Sequence, residues 1–297
     1  MIPLALIATL HDPEGRQARL LEPLAASLEA TFPAIMISAT PGSAPAGVKR
    51  LRELGATVFQ EGVPEGWHLI GRARRQLLEV ALTQGHRQML LCDFDRLLHW
   101  MDVAPEELPA VAEQVHRHDF LVLGRTPAAF DSHPAVQRET ERLANHVFAQ
   151  VTGLRWDITG GARGLSAAAA EYLVRHSRVD SLGVDAEWPI LLRRAGLHVG
   201  YLEVDGLSFE TADRFADLIA TCGGYGAWLA AHVNTPAGWV HRLGLAHEIA
   251  RAAVAAGAEP CPPARARPLS AENRPASARV AAFWPARRRR DGSGSTP

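Results

Sequence analysis

The sequence predicts an α/β protein built on a doubly wound sheet. Short apolar segments without charge alternate along the chain with segments that carry leucine and alanine at helical spacing. The clearest apolar segment, residues 89–92, follows a turn-like stretch and stops at two carboxylates, Asp93 and Asp95. Uncharged residues in that setting are typical of a strand buried on both faces of a parallel sheet. A chain of 297 residues is long enough for one such domain of about 250 residues plus appendages.

The beginning of the chain has the pattern of half a doubly wound sheet. Leu20, Leu21, Leu24 and Leu28 recur at helical spacing, and the stretch 41–45, which contains proline and glycine, is typical of a loop. The predicted elements are a strand over 3–10, a helix over 16–31, a strand over 34–39, a helix over 48–54 and a strand over 57–60. Their order is β-α-β-α-β.

The rest of the chain continues this alternation and then becomes less regular. An amphipathic helix over residues 69–83 leads into the strand that ends at the two aspartates, and a glycine-rich loop over 157–166 enters an alanine-rich helix. The other predicted elements are helices over 105–116, 134–151 and 185–194, strands over 120–124 and 199–204, and a helical region that follows residue 210 and runs to residue 256.

Composition excludes several classes of protein. Lysine and arginine total 31 against 32 acidic residues, so no global field draws the chain to nucleic acid or to an anionic membrane. Cys92, Cys222 and Cys261 are odd in number and lack metal-ligand spacing, which favours a reducing compartment. No stretch has the roughly 18 uncharged apolar residues of a membrane span. We expect a cytoplasmic protein without a transmembrane segment or a nucleic-acid partner.

Residues 259–297 are rich in proline, alanine and arginine and close with the run Arg287–Arg290. A segment of this composition buries too little apolar surface to offset its ordering entropy, so we predict a disordered tail. Contact of the arginine run with nucleic acid or acidic lipid is the alternative to a solvated tail.

Asp93 and Asp95 lie where a ligand is expected. In open α/β sheets the carboxyl ends of the strands face the ligand crevice, and the i, i+2 spacing places both side chains on one side of a strand. Carboxylate oxygens suit a hard cation, so the pair is able to share a cation that carries a diphosphate. The alternative is a helix N-cap followed by solvated charge.

Four features follow one another in a recognisable order. They are the helical segment 71–76 with three arginines, the Asp93-Phe94-Asp95 motif, the loop 157–163, and Asp185-Ala186-Glu187 at the head of a helix followed by the segment 195–199. This ordered set resembles the GT-A fold glycosyltransferases of family two and their retaining relatives, such as the glucosyl-3-phosphoglycerate synthases. The resemblance covers about residues 3 to 215 and implies a mixed, doubly wound sheet with flanking helices.

The resemblance implies a nucleotide-sugar donor whose departing diphosphate is held by Mg²⁺ or Mn²⁺. Asp95 would bind the metal directly, Asp93 would reach the metal shell or the ribose, and Thr9, at the end of the first strand, would contact the donor. Arg72 and Arg75 would meet the diphosphate with fork-shaped donors. An exposed helix face is the alternative for both arginines.

The same resemblance implies an acceptor site and a general base. Backbone amides of Gly160 and Gly161 would approach the acceptor closely, and Arg163 would hold an anionic group on it; a helix entry turn is the alternative. Asp185 and Glu187 lie at a helix start, where inverting relatives carry the base that deprotonates the acceptor hydroxyl. Because Asp185 also suits an N-cap, Glu187 is the better candidate.

Two departures from the family pattern stand out. Family two enzymes usually carry aspartates after the second strand, whereas this chain has Ser38-Ala39-Thr40-Pro41-Gly42, so base recognition stays open. Retaining relatives place a histidine metal ligand after the late strand. Here Glu210 is the candidate substitute, since carboxylate oxygen suits Mg²⁺ or Mn²⁺, and a structural glutamate at a helix start is the alternative.

We predict a metal-dependent glycosyltransferase that acts on a soluble small-molecule acceptor. Residues 1–258 would form the catalytic domain, with a nucleotide-binding half (1–125), an acceptor-binding half (126–215) and C-terminal helices (216–258). A non-catalytic module of the same fold that binds a nucleotide or a partner is one alternative. The other is a haloacid dehalogenase-like phosphatase with Asp93 as nucleophile, which would need a lysine downstream of the motif, whereas Lys49 lies upstream.

Overall fold

The computed structural model describes residues 4–258, which fold around a mixed sheet of seven strands. The strands are β1 (Ala5–Leu10), β2 (Ala34–Ala39), β3 (Thr57–Phe59), β4 (Gln88–Asp93), β5 (Phe120–Arg125), β6 (Ala162–Ser166) and β7 (Val199–Val204). Their order in the sheet is β3-β2-β1-β4-β6-β5-β7. Strand β6 runs antiparallel to its neighbours β4 and β5, and the other described pairs are parallel.

Helices cover both faces of the sheet. They are α1 (Arg16–Leu21), α2 (Ala25–Thr31), α3 (Pro45–Glu53), α4 (Ile70–Thr83), α5 (Phe94–Val103), α6 (Glu107–Arg117), α7 (Pro127–Asp131), α8 (Ala135–Thr152), α9 (Ala167–His176), α10 (Val184–Arg194), α11 (Ala216–Thr221), α12 (Tyr225–Trp228) and α13 (Pro236–Ala258). Short 3₁₀ helices at Glu22–Leu24, Trp67–Leu69 and Thr211–Phe215 and a π-helical turn at Leu229–Val233 join them.

Two separate cores result from the alternation of side chains along the strands. Leu6 and Ala8 of β1 point into the core shared with α2, α3, α5 and α6, whereas Ala5 and Ile7 point into the core shared with α4, α8, α9, α10 and α13. Burial of β1 on both faces explains why its sequence is uncharged. The predicted α/β class with a doubly wound mixed sheet and flanking helices is therefore confirmed.

Several predicted elements need correction. Strands 34–39 and 199–204 have the predicted bounds, but the helix over 16–31 is broken by a 3₁₀ turn that contains Pro23, whose ring prevents a regular helix. Part of the predicted loop 157–166 is strand β6. Gly164 allows this strand to pack closely, because a Cβ there would lie 2.4 Å from a methyl carbon of Val115.

Asp95 does not belong to the strand that precedes it. Strand β4 ends at Asp93, and α5 begins at Phe94, so Asp95 lies in the first turn of a helix. An acidic residue is favourable there because it complements the partial positive charge of the helix N-terminus.

The predicted halves 1–125 and 126–215 share one sheet, since β6 pairs with both β4 and β5, and their functional division stays a prediction. The predicted disordered tail, residues 259–297, lies outside the described residues. Among residues 4–258 no helix has the length and apolar content needed to cross a membrane.

Candidate active site

A cleft of about 580 Å³ opens at the carboxyl ends of β1, β2 and β4. Thr9, Ser38 and Asp93 line it from the strands, and α13 forms part of the opposite side. The carboxyl edge of a parallel sheet is the place where open α/β folds bind ligands. Of the predicted site residues, those that line this cleft are Thr9, Asp93, Asp95, Gly161, Asp185 and Glu210.

Asp93 is the centre of a hydrogen-bonded group at the base of the cleft. Parallel pairing places Thr9 of β1 opposite Asp93 of β4, and the Thr9 hydroxyl donates to Asp93 Oδ1 at 2.7 Å. Arg74 Nη2 donates to the same carboxylate at 3.1 and 3.3 Å. Burial opposes ionisation of Asp93, but the positive charges of Arg74 and Arg96 outweigh it and lower the pKa of this carboxyl.

Arg74 lines the cleft but is not among the predicted site residues, and the same holds for Arg96, Arg214 and Arg242. Arg74 lies on the buried face of α4, one turn before Leu77 and Leu78 and two turns before Ala81. Because the spacing of these apolar residues marks the buried face of the helix, it indicates that Arg74 faces inward and that its neighbours Arg72 and Arg75 do not. Arg72 is exposed instead.

Arg75 also points away from the cleft. Its guanidinium donates to the Val179 carbonyl and to Asp180, and it approaches Ser177 Oγ at 3.4 Å. The structure therefore does not place Arg72 or Arg75 where they would reach a diphosphate in this cleft, and both predictions need correction because helix α4 presents Arg74 there.

Asp185 and Glu187 differ in position. Asp185 lines the cleft, and its Oδ1 accepts from Arg74 Nη1 at 3.0 Å and lies 3.0 Å from Arg163 Nη2. Glu187 is buried beneath the loop that follows α9, where it accepts from the Ser177 hydroxyl at 2.5 Å and from the Arg178 amide at 2.9 Å. The carboxylate of Glu187 thus orders that loop, and the structure does not bring it to the cleft.

Gly160, Gly161 and Arg163 follow one another but have different surroundings. Gly161 lines the cleft with φ 76°, and a Cβ there would lie 3.3 Å from Asp93 Oδ2. Gly160 packs against β5, and its carbonyl accepts from Arg96 Nη1 at 3.0 Å. Arg163 is buried below the cleft and donates to the Ala162 carbonyl at 2.7 Å. Only Gly161 of these three is placed to touch a ligand directly.

Asp95 and Glu210 face the same region of the cleft with two arginines beside them. Arg214 Nη2 lies 3.2 Å from Asp95 Oδ2, and Arg96 Nη2 lies 3.6 Å from Glu210 Oε1. Burial raises the pKa of the Asp95 carboxyl, which Arg214 opposes and the negative charge of Glu210 reinforces. Burial acts in the same direction on Glu210, but the positive charges beside it, that of Arg96 first, together outweigh burial and lower the pKa of this carboxyl.

The chemistry of these two carboxylates suits a divalent cation whose shell a bound diphosphate would complete. Glu210 Oε2 is buried and has no hydrogen-bond partner, and the like charge of Glu210 disfavours the ionised form of Asp95, so a cation between them would relieve both. One or two carboxylates plus substrate phosphates is the usual protein contribution to a Mg²⁺ site. Within residues 4–258 no three His, Cys, Asp or Glu side chains converge as a metal site. The predicted set of Asp93, Asp95 and Glu210 therefore does not close around an ion, since Thr9 and Arg74 occupy Asp93.

His99 joins α5 to the segment that carries Glu210 and Arg214. Its Nδ1 lies 2.6 Å from Asp213 Oδ2, and its Nε2 lies 2.8 Å from Ser208 Oγ. This order resembles a hydrolytic triad, but the amides next to it are occupied. Ser208 N donates to a carbonyl within its own turn, and the following amide donates to a serine hydroxyl. Neither of these two amides is free to bind an oxyanion, and we interpret the arrangement as a link between α5 and the segment that carries Glu210.

Comparison with known proteins gives a match at the level of structure. No protein-family model matches the sequence, and no curated protein matches it. Glucosyl-3-phosphoglycerate synthase from Mycobacterium tuberculosis in complex with Mn²⁺, UDP-glucose and phosphoglyceric acid is similar, with a TM-score of 0.52 and 12% identity over 87% of this chain and 80% of that chain. The same enzyme in complex with Mn²⁺, UDP and phosphoglyceric acid gives a TM-score of 0.50 and 13% identity over 87% of this chain and 79% of that chain.

At such low identity the structural similarity establishes only the fold. Which ligands this chain binds has to be argued from its own residues. The order of motifs along the sequence predicts the same fold independently. The chain therefore has the fold of these synthase structures, which is the GT-A fold that the sequence predicts.

Proposed function

We propose that this chain is a glycosyltransferase that moves a sugar from a nucleotide-sugar donor to a small soluble acceptor. The observation that carries the proposal is the position of Asp93, Asp95 and Glu210 in one cleft at the carboxyl ends of the strands, with Arg74, Arg96 and Arg214 beside them. Carboxylates for a cation and guanidinium groups for a diphosphate are what the departure of a nucleoside diphosphate requires. The structural neighbours, which contain UDP-glucose or UDP with Mn²⁺, support this donor class.

The donor would lie along the ends of β1 and β2. Thr9, Ser38 and Thr40 line this end of the cleft, and Thr40 Oγ1 lies 2.8 Å from His11 Nδ1. Hydroxyl and imidazole groups here offer hydrogen bonds to the nucleoside in place of the aspartates that family two enzymes usually carry. Asp93 would orient the ribose through the carboxylate that Thr9 and Arg74 already hold rigid.

Mg²⁺ or Mn²⁺ would be held by Asp95 and Glu210. The ion, when bound, would neutralise charge that develops on the diphosphate as the sugar departs. Arg96 and Arg214 are positioned to share that task, because each already lies beside one of the two carboxylates and can donate to phosphate oxygens.

The acceptor would occupy the other end of the cleft, near Gly161, Thr159 and Arg242. An anionic group on the acceptor would meet Arg242, whose guanidinium is only partly covered. Asp185 is the cleft carboxylate that we assign as the base for the acceptor hydroxyl, in an inverting reaction, because Glu187 lies outside the cleft.

The free thiols of Cys92 and Cys222 agree with the reducing, cytoplasmic setting that we propose.

A thermal-shift screen of nucleoside diphosphates and nucleotide-sugars, with and without Mn²⁺, tests the proposal. A ligand that binds only the folded chain raises the melting temperature, by an amount equivalent to about 2.7 kcal/mol at one hundred times its dissociation constant. We expect a Mn²⁺-dependent shift for at least one donor, and its loss in Asp95→Asn. Asp102→Asn is the matched control, because Asp102 is exposed on the same helix α5.

Transfer assays then separate an enzyme from the non-catalytic alternative. Binding of a nucleotide-sugar without release of its nucleoside diphosphate in the presence of any acceptor would favour a binding module of the same fold. Absence of binding for every nucleotide-sugar would overturn the proposal. A phosphatase that uses Asp93 would instead release phosphate and trap a phospho-aspartate, which the GT-A fold does not lead us to expect.

A further inference from the structure

One wall of the cleft is made of apolar side chains. This apolar wall consists of Trp67, Ile70, Leu182, Leu245 and Ile249, all of which line the cleft. The Trp67 side chain is 59% exposed, which is a large exposed fraction for a tryptophan, since this residue type is mostly buried. Leu245 and Ile249 are part of α13 and are anchored in the molecule, with 8% and 4% of their surfaces exposed.

Three segments of the chain are held together to form the apolar wall. At the start of α4, Gly71 contacts the loop before α10, because a Cβ there would lie 2.6 Å from the Ser181 carbonyl oxygen. Gly183 contacts α13, where a Cβ would lie 2.7 Å from that of Ala252. The Trp67 ring meets the His241 ring edge to face at 6.0 Å. The apolar wall is therefore preformed by packing between α4, the loop before α10 and α13.

Polar side chains also line the cleft. They are Thr140, Glu141 and Thr159, together with Arg242, which lies one turn before Leu245 on α13. Arg242 Nη1 lies 3.5 Å from Glu141 Oε1, whereas the other oxygen of Glu141 accepts from Arg125 at 2.7 Å. Because Glu141 is already held by Arg125, Arg242 retains donors for an anionic ligand.

We infer that the acceptor is amphiphilic: a hydroxylated acid whose carboxylate or phosphate meets Arg242 and whose aliphatic or aromatic body lies against the apolar wall. This inference rests on the proposed function and specifies its acceptor. The phosphoglyceric acid of the structural neighbours is polar along its whole length and would leave the apolar wall in contact with water. An apolar body removes that surface from water, which is the main source of affinity in sites of this kind.

Three monoanionic acids that differ in apolar content test the inference, with 3-phosphoglycerate as a polar acid of higher charge. Glycerate, 3-phosphoglycerate, 3-hydroxyoctanoate and 4-hydroxyphenylacetate are titrated calorimetrically against the full chain, each with and without UDP and Mn²⁺. We expect 3-hydroxyoctanoate or 4-hydroxyphenylacetate to bind at least tenfold more tightly than glycerate, since even one methylene in an apolar pocket is worth about tenfold or more. Equal or tighter binding of glycerate or 3-phosphoglycerate would overturn the inference.

Substitutions on α13 locate the apolar body. Leu245→Asn keeps the approximate side-chain size and makes the apolar wall polar, so it is expected to weaken the apolar acids by about tenfold and to leave glycerate unchanged. Leu243→Asn is the matched control, because Leu243 is 47% exposed on the same helix and does not line the cleft. Equal effects of the two variants, with both melting temperatures unchanged, would contradict the location. Ile249→Thr provides a second test if Leu245→Asn fails to fold.

The outcomes distinguish this inference from the proposed function. Tight binding of UDP with a preference for polar acids would leave the glycosyltransferase proposal intact and remove the amphiphilic acceptor. If UDP fails to bind and apolar acids are still preferred, the cleft binds amphiphilic acids but the proposed sugar transfer is wrong.

Discussion

Asp185 and Glu187 show how much two neighbouring carboxylates can differ in their surroundings. Both lie in the first turn of α10, where their charges complement the helix dipole. Asp185 meets two guanidinium groups at the cleft, whereas Glu187 receives a hydroxyl and backbone amides from the loop below. The sequence predicts that both lie at a helix start. It does not show the direction of each side chain, which places Asp185 at the cleft and Glu187 under a loop.

We expect Asp185→Asn to lower turnover by 10² to 10⁴, the usual contribution of a general base, while donor affinity changes little. Glu187→Gln should keep turnover within about threefold of the unmodified chain and mainly lower stability, by about 1–3 kcal/mol for a disturbed buried acceptor. Steady-state kinetics and urea unfolding of both variants measure these effects. If Glu187→Gln melts normally but has lost turnover, Glu187 is the base. If NMR shows that the transferred sugar keeps its anomeric configuration, neither residue acts as the base.

His133 makes stability depend on pH. Its side chain is fully buried, and burial together with the positive charges of Arg125 and Arg96 lowers its pKa to about 4. An unfolded histidine has a pKa of about 6.5, so between these values the unfolded chain binds the additional proton and stability falls as the pH falls. From pH 7 to pH 5 this histidine should account for about 2 kcal/mol.

Urea unfolding of the unmodified chain and of His133→Asn at pH 7 and pH 5, in the presence of a chelator, measures this contribution. The Asn amide retains a donor near the Ala129 carbonyl, which His133 Nδ1 approaches at 3.0 Å, and it does not titrate in this range. The variant should therefore lose about 2 kcal/mol less than the unmodified chain on acidification. An identical loss in both would show that other groups govern the acid side.

At the scale of elements, the sequence predicts strands better than it predicts the segments between them. Strands 34–39 and 199–204 have the predicted bounds: the first is uncharged and buried, and the second is an edge strand that carries valine, tyrosine and leucine. Strand β6 contains an arginine and a glycine and pairs with strands far away in sequence, so local composition gives no indication of it. Helix α5 is not among the predicted elements, although Phe94, Leu97, Leu98 and Met101 have helical spacing, because the helix begins directly at the end of β4 with no turn signal between them.

Helix α5 and the segment 208–214 form a pair of elements that His99 links. Asp95 and Arg96 lie on the helix, Glu210 and Arg214 lie on the segment, and each arginine approaches a carboxylate of the other element. The shape of the candidate metal site therefore depends on the relative position of two elements, which no local sequence pattern encodes.

His99→Leu should loosen this link and weaken Mn²⁺-dependent UDP binding by about tenfold, because Asp213 and Ser208 lose their partner. Ser208→Ala removes one of the two contacts and should have a smaller effect. Calorimetric titration of UDP with and without Mn²⁺ measures both. His146→Leu, on the exposed side of α8, is the control. Unchanged UDP affinity in a folded His99→Leu chain would show that the segment keeps its position without the histidine.

The whole molecule depends on α13 to complete both a core and the cleft. This helix packs along α8 and α10 and supplies Arg242 and Leu245 to the cleft. Apolar residues of its inner face are buried: Leu245, Ala246, Ile249, Ala252, Ala253 and Ala256. The side of the cleft that we propose for the acceptor is thus closed by a helix that lies beyond the last strand, where the ordered motifs of the sequence have already ended.

Two truncations test this view of where the functional body of the molecule ends. Removal of the chain after Ala258 should change stability by less than about 1 kcal/mol, a shift of a few degrees at most, since the composition of residues 259–297 offers little to bury. Removal after Thr235 deletes α13 and exposes its packing partners, at a cost of about 2–5 kcal/mol for each large aliphatic side chain lost, so the product should be unfolded or insoluble. Differential scanning calorimetry and UDP titration compare both products with the full chain. A large loss of stability or of UDP binding in the Ala258 truncation would show that residues 259–297 contribute to the body, and a stable, UDP-binding product that ends at Thr235 would show that α13 serves the acceptor side alone.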